Sequence, residues 1–291
     1  MSRFKLVIGS LVMALGFAFM TGYSETVSNL QPAPMPLYQS PNIDNIVSLA
    51  APEPHREEAV RKYLAPGVRI RNGNISGSGT VCYYDKQKNL AWIISCSHLF
   101  RSSSEKQVIL EFFYKNDEKL SSPAKYTGDV VAAKINGYED DISIISFTPD
   151  WQPTYFPIGK ADYNYQPGKM LYSVGCDSAS EVAAYFVKVV ALERAFLATR
   201  ENSPRPGRSG GGLITEDGWY VGICVRTSDV SGNGTGYFVH LSTIHSFCKS
   251  NNLEWLLSVE KSNSNSLLKS IPIVDRNGPQ GVYPPDYVPI P

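Results

Sequence analysis

Ser209 sits in the stretch Pro206-Gly207-Arg208-Ser209-Gly210-Gly211-Gly212, and a hydroxyl in so glycine-rich a turn is a candidate nucleophile. A serine hydroxyl attacks a carbonyl only when a neighbouring base takes its proton. His98 is the candidate base; it ends the segment Trp92-Ile93-Ile94-Ser95-Cys96-Ser97-His98. A carboxylate could hold the imidazole in one tautomer and stabilise the imidazolium that forms. Asp140 and Asp141 both offer one, at the start of Asp140-Asp141-Ile142-Ser143-Ile144-Ile145. Serine, imidazole and carboxylate together would perform acyl transfer. A serine among glycines is weak evidence alone, because glycine clusters usually mark turns. Three such groups in separate segments, each beside an apolar run, are a stronger signal. His55, His240 and His245 have no such context and read as surface or packing residues.

Short strands must position these groups. Residues 78–84, 90–95, 108–114, 126–133, 142–147, 170–175, 183–190, 212–215, 219–225 and 236–239 read as strands, separated by Gly, Pro, Asn and Asp. Many short strands with such turns indicate an all-β barrel or sandwich. Helical spacing over 243–257 predicts a capping helix, and 56–63 reads as a short helix. No internal repeat is visible. Five cysteines (Cys82, Cys96, Cys176, Cys224, Cys248) leave an odd thiol, and no C-x-x-C spacing suggests zinc. Cys82 and Cys96 fall on two strands of one hairpin but out of opposition, so buried free thiols are the expectation.

The order His98, Asp, Ser209, with G-x-S-G-G around the serine, resembles the trypsin-like (chymotrypsin-fold) serine peptidases, in their bacterial and phage-type branch. The resemblance spans about residues 68–248. It implies two packed six-stranded antiparallel β-barrels with a C-terminal helix, and a cleft between the barrels. It implies an endopeptidase acting through His98, Asp141 and Ser209, with no cofactor and no metal. Asp141 is favoured over Asp140 because it directly precedes Ile142, as in the family pattern D-I/L-A-L-L. The family segment A-A-H-C is replaced here by Cys96-Ser97-His98-Leu99. The oxyanion donors would be the N–H groups of Gly207 and Ser209, and glycine at 207 permits the backbone angles this needs. The pocket base would be Ser203, the substrate-pairing strand Val225-Arg226-Thr227, and the pocket wall Gly236. With no acid at the base, a small or medium apolar substrate side chain is expected.

Arg208 departs from relatives that place an aspartate before the serine. That aspartate pairs with a new N-terminus, an ammonium that a cation would repel. No R/K-I-V-G-G activation sequence occurs either, so activation by N-terminal insertion is not expected. An alternative reading is a protease-fold binding module without turnover, motivated by Arg208, Cys96 and Ser97. The residues after Cys248 are too few for a PDZ domain.

The ends of the chain are compositionally distinct. Arg3 and Lys5 precede an apolar stretch over 6–20, the pattern of a signal peptide ending near Ser24. An uncleaved anchor is the competing reading; either way an exported location, periplasmic or extracellular, is expected. Residues 25–67 read as a Pro-rich linker or propeptide, 68–258 as the domain, and 259–291 as a Pro-rich tail that could bind a partner. Lys+Arg and Asp+Glu are equal at 27 each, so no basic block suits nucleic acid. A protein or peptide substrate is the expected partner.

Overall fold

A computed structural model describes residues 63–101, 106–135, 140–177, 180–193, 196–229 and 234–258. All of them fall within one compact unit, Leu49–Pro291. The expected signal peptide, the linker up to residue 62, its short helix at 56–62 and the tail lie outside the described residues.

Twelve strands form two closed antiparallel barrels of six. The first contains β1 (Gly67–Asn72), β2 (Ile75–Asp85), β3 (Leu90–Ser95), β4 (Gln107–Lys115), β5 (Glu118–Lys134) and β6 (Ile142–Phe147), in the order β1-β2-β3-β6-β5-β4. The second contains β7 (Met170–Cys176), β8 (Val182–Glu193), β9 (Phe196–Arg200), β10 (Gly212–Ile214), β11 (Tyr220–Thr227) and β12 (Gly236–His240), in the order β10-β11-β12-β9-β8-β7. Closure removes free sheet edges and lets the inward side chains fill a core. Val68, Ile70, Ile93, Leu110 and Ile144 are buried in the first barrel, and Leu171, Val187, Ile223 and Phe238 in the second.

Two strands were not apparent in the sequence. β1 alternates Val68 and Ile70 with Arg69 and Arg71, and its cations are matched by Glu111 on the neighbouring strand β4. β9 is a five-residue strand bounded by arginine. The segment read as linker also proves folded at its end, because Tyr63 and Leu64 are buried and Tyr63 stacks on Tyr172. The expected helix over 243–257 is broken. Helix α1 (Leu241–Ser250) buries Leu241, Ile244, Phe247 and Cys248. Asn252 then adopts φ 58°, which ends helical pairing, before a 3-10 turn at Glu254–Leu257.

All five cysteines are free and buried. A bulge in the β2–β3 pairing falls between Val81 and Tyr83, so Cys82 lacks a direct cross-strand partner.

Candidate active site

His98 opens a 3-10 turn (His98–Phe100) just after β3, and Asp141 immediately precedes β6. Those strands are paired, Ser95 opposite Ser143, so the two residues meet at one end of the first barrel. Asp141 is fully buried. Its Oδ2 lies 2.5 Å from His98 Nδ1. Its Oδ1 accepts the backbone N–H of Ser97 at 2.7 Å and of His98 at 2.8 Å. Burial alone would raise the Asp141 pKa, but the hydrogen bonds from His98 and Ser97 hold it below the ordinary carboxylate value. An ionised Asp141 can only accept, so Nδ1 carries the proton and Nε2 faces away from it. Asp140 turns elsewhere, to Lys134 Nζ at 2.8 Å.

Two consecutive tight turns share Arg208, and Ser209 belongs to the second. Arg208 N–H returns to Arg205 C=O at 3.1 Å, closing Arg205-Pro206-Gly207-Arg208. Gly211 N–H returns to Arg208 C=O at 2.8 Å, closing Arg208-Ser209-Gly210-Gly211. Each turn has glycine at its third position with positive φ, Gly207 at 91° and Gly210 at 88°. A glycine with positive φ at the third position is the type II signature, and Pro206 before Gly207 fits the first turn. Gly210 is also required by space, because a Cβ there would run into Ser78 O and Ser95 Oγ. Among the described residues, neither the Gly207 nor the Ser209 N–H donates to another backbone oxygen.

Both barrels hold these turns in place. Ser78 N–H donates to Ser209 C=O at 2.7 Å, and Ser78 Oγ donates to Gly207 C=O at 2.8 Å. From the second barrel, Gly210 N–H donates to Cys224 C=O at 2.7 Å, and Cys224 N–H to Gly211 C=O at 2.8 Å.

Arg208 has no exposed surface. Its Nε and Nη2 meet Asp177 Oδ1 and Oδ2 at 2.7 and 3.0 Å, a bidentate pair. Nη1 donates to the Ser173 and Ala183 carbonyls at 2.7 and 3.2 Å, and the guanidinium lies 4.1 Å from the Tyr185 ring centroid. Burial would raise the Asp177 pKa, but the Arg208 charge holds it low. Burial would lower the Arg208 pKa, but Asp177 raises it further. With four of the guanidinium's N–H donors and both Asp177 oxygens engaged, the pair can stay ionised in so dry a site. Asp177 is the residue that sequence reading missed. The only available signal was Arg208 itself, a cation in a glycine-rich turn that needed a counter-charge.

His98 and Ser209 line one pocket of about 340 Å³, together with Arg101, Pro204, Arg205, Pro206, Cys224, Val225, Arg226 and Thr227. No hydrogen bond joins His98 to Ser209 among the described residues. The recorded partner of His98 Nε2 is Cys96 Sγ at 3.7 Å. Cys96 is fully buried, and burial raises its pKa well above the usual thiol value, so it is held as the thiol. Cys96, His98 and Asp141 offer ligand atoms within 4.8 Å of one another. With Nδ1 committed to Asp141, they provide fewer free donors than a zinc site needs.

The carried-over pocket residues divide. Val225, Arg226 and Thr227 line the cleft. Ser203, next to the lining residue Pro204, is buried, and its Oγ has no partner among the described residues. Gly236 packs on Pro204, which a Cβ would strike.

Residues 77–223 match the family model of the trypsin-like peptidase domain. The chain belongs to that family. The peptidase domain also has solved structural neighbours. The serine endoprotease from Yersinia pestis superposes with a TM-score of 0.52 at 18% identity, over 71% of this chain and 68% of that one. The Rv3671c protease of M. tuberculosis H37Rv, in its inactive form, gives TM-scores of 0.52 and 0.51 in two structures. Identities are 16% and 17%, covering 69% of this chain and 94% and 95% of those. At such identities the likeness concerns the fold. No curated protein matches the peptidase domain by sequence.

Proposed function

We propose that the protein is an exported serine endopeptidase. Ser209 attacks the peptide carbonyl while His98 Nε2 takes its proton. Asp141 keeps Nδ1 protonated and steadies the imidazolium. The Gly207 and Ser209 N–H groups receive the oxyanion. His98 then returns the proton to the leaving amine, and water releases the acyl-enzyme. The observation that carries this reading is the double turn around Ser209, which fixes a serine in the same pocket as an Asp141-bound imidazole. Catalytic hydrogen bonds are often long before substrate binds, so a His98–Ser209 pair without one is compatible with turnover. Export is supported by Arg3, Lys5 and the apolar stretch after them. Among the described residues no helix is long and apolar enough to cross a membrane.

The Cys96 contact to His98 Nε2 favours a second reading, in which the imidazole is withheld and the domain binds peptides without cleaving them. Digestion of a peptide library by wild type beside Ser209→Ala separates the two. The peptidase reading expects roughly 10⁴- to 10⁶-fold slower turnover in the variant. Equal products from both proteins would point to another nucleophile, and no products from either would favour the binding module.

A further inference from the structure

The cleft beside Ser209 carries charge that the acyl-transfer chemistry does not use. Three of the residues lining it are arginines (Arg101, Arg205 and Arg226), and among the described residues no Asp or Glu lines it. All three are exposed. They reach the cleft from separate parts of the chain. Arg101 caps the 3-10 turn that begins at His98, on the first barrel. Arg205 opens the double turn before the serine. Arg226 lies on β11, within the segment expected to run beside the substrate backbone. The whole chain has no net charge, so this cluster is local and does not reflect a basic protein.

The Arg226 guanidinium lies 4.4 Å from the Tyr237 ring centroid and 5.7 Å from that of Phe196. Stacking fixes the plane of the group through its face. Among the described residues, no carboxylate lines the cleft itself. Asp141 is buried behind His98, Asp177 is engaged by Arg208 in both oxygens, and Asp229 lies past Thr227, outside the lining. A cleft with low-dielectric walls focuses such a field on whatever enters it.

We infer that the cleft selects peptide segments carrying Asp or Glu close to the bond presented to Ser209. This rests on the peptidase reading for its meaning, though not for its measurement. Carboxylates near the scissile bond can take charge-assisted hydrogen bonds from the arginines, and Lys or Arg in the same places is repelled. The inference adds to the expected apolar pocket. Cys224 and Val225 supply a buried, uncharged floor, while the arginines act on neighbouring substrate positions.

The test uses binding by Ser209→Ala, which does not depend on turnover. Fluorescent peptides share one core and carry either Glu or Lys on both flanks, and anisotropy is read at low and high salt. The Glu-flanked peptide is expected to bind about tenfold tighter at low salt, and the advantage should shrink to about twofold at high salt. Arg226→Glu should abolish or invert the preference, and Arg205→Glu, at an exposed turn residue, provides the same reading independently. Equal affinities, no binding of the Glu-flanked peptide, or a preference for Lys would overturn the inference. Wild-type hydrolysis of the same peptides is scored separately. Cleavage without charge preference would sink only this inference, whereas absent cleavage alongside Glu-selective binding would sink only the peptidase reading.

Discussion

Asp141 in the first barrel and Asp177 in the second are almost equally hidden from water, yet their partners are not. Asp141 is met by His98, whose side chain keeps 23% of its surface open to the cleft. Asp177 is met by Arg208, whose side chain keeps none. An imidazole exchanges its proton near neutral pH, whereas a guanidinium remains charged. The first pair can therefore take part in proton transfer at the cleft surface. The second is sealed and permanent, one residue from Ser209, and serves to hold the turn. Two similarly buried carboxylates thus differ in role through the exposure and proton chemistry of the partner.

The comparison can be broken most severely at Asp141. Asp141→Asn presents an amide N–H₂ to Nδ1 and favours the wrong imidazole tautomer. Turnover should fall by about 10⁴-fold, as in the triad template, with the thermal midpoint little changed. Steady-state kinetics and a melting curve on the same preparation check both halves.

Asp177→Leu should produce the reverse pattern, a loss of stability first. It strands a charged Arg208 in a dry site, at a cost of about 3–5 kcal/mol, or roughly 10 °C in melting temperature. Adding Arg208→Met should recover most of that loss, because an apolar pair needs no solvation. Failure of the double variant to recover would mean that the guanidinium's bonds to the Ser173 and Ala183 carbonyls matter more than its charge.

A smaller effect is expected in acid. Both carboxylates have folded pKa values below the ordinary value of about 3.9. Their stabilisation is fully present above that value and is lost as pH falls through the lower folded ones. Wild-type stability should therefore decline below about pH 4, and the Asp177→Leu, Arg208→Met variant should decline less steeply. Denaturant melts across pH 2–6 would measure the two slopes. The smallest effect belongs to Asp140→Asn, which among the described residues loses the pair to Lys134. Turnover should change by less than about threefold, since partly exposed ion pairs contribute little.

Local chemistry made much of the site legible in the sequence. Glycines at 207 and 210 announce backbone that other residues resist, and both have positive φ. Asp141 stood out because it borders an apolar strand. Asp177 did not, because its pairing with Arg208 spans 31 residues and joins the end of β7 to a turn. Ser97 was visible only as a departure. It gives Asp141 a backbone N–H at 2.7 Å, which any non-proline residue could supply, and a hydroxyl at 3.1 Å, which an alanine in its place could not. β1 escaped notice because Arg69 and Arg71 read as surface until Glu111 is placed opposite. The break after α1 was missed because the apolar spacing continues past Asn252 while the backbone does not.

Labelling with a fluorophosphonate probe, mapped by mass spectrometry, is the most direct measurement. An activated Ser209 should carry the phosphonyl group in the wild type, lose it in Ser209→Ala, and carry far less of it in Asp141→Asn. A wild-type protein that stays unlabelled, or carries the adduct on another residue, would contradict the assignment of Ser209 as the nucleophile.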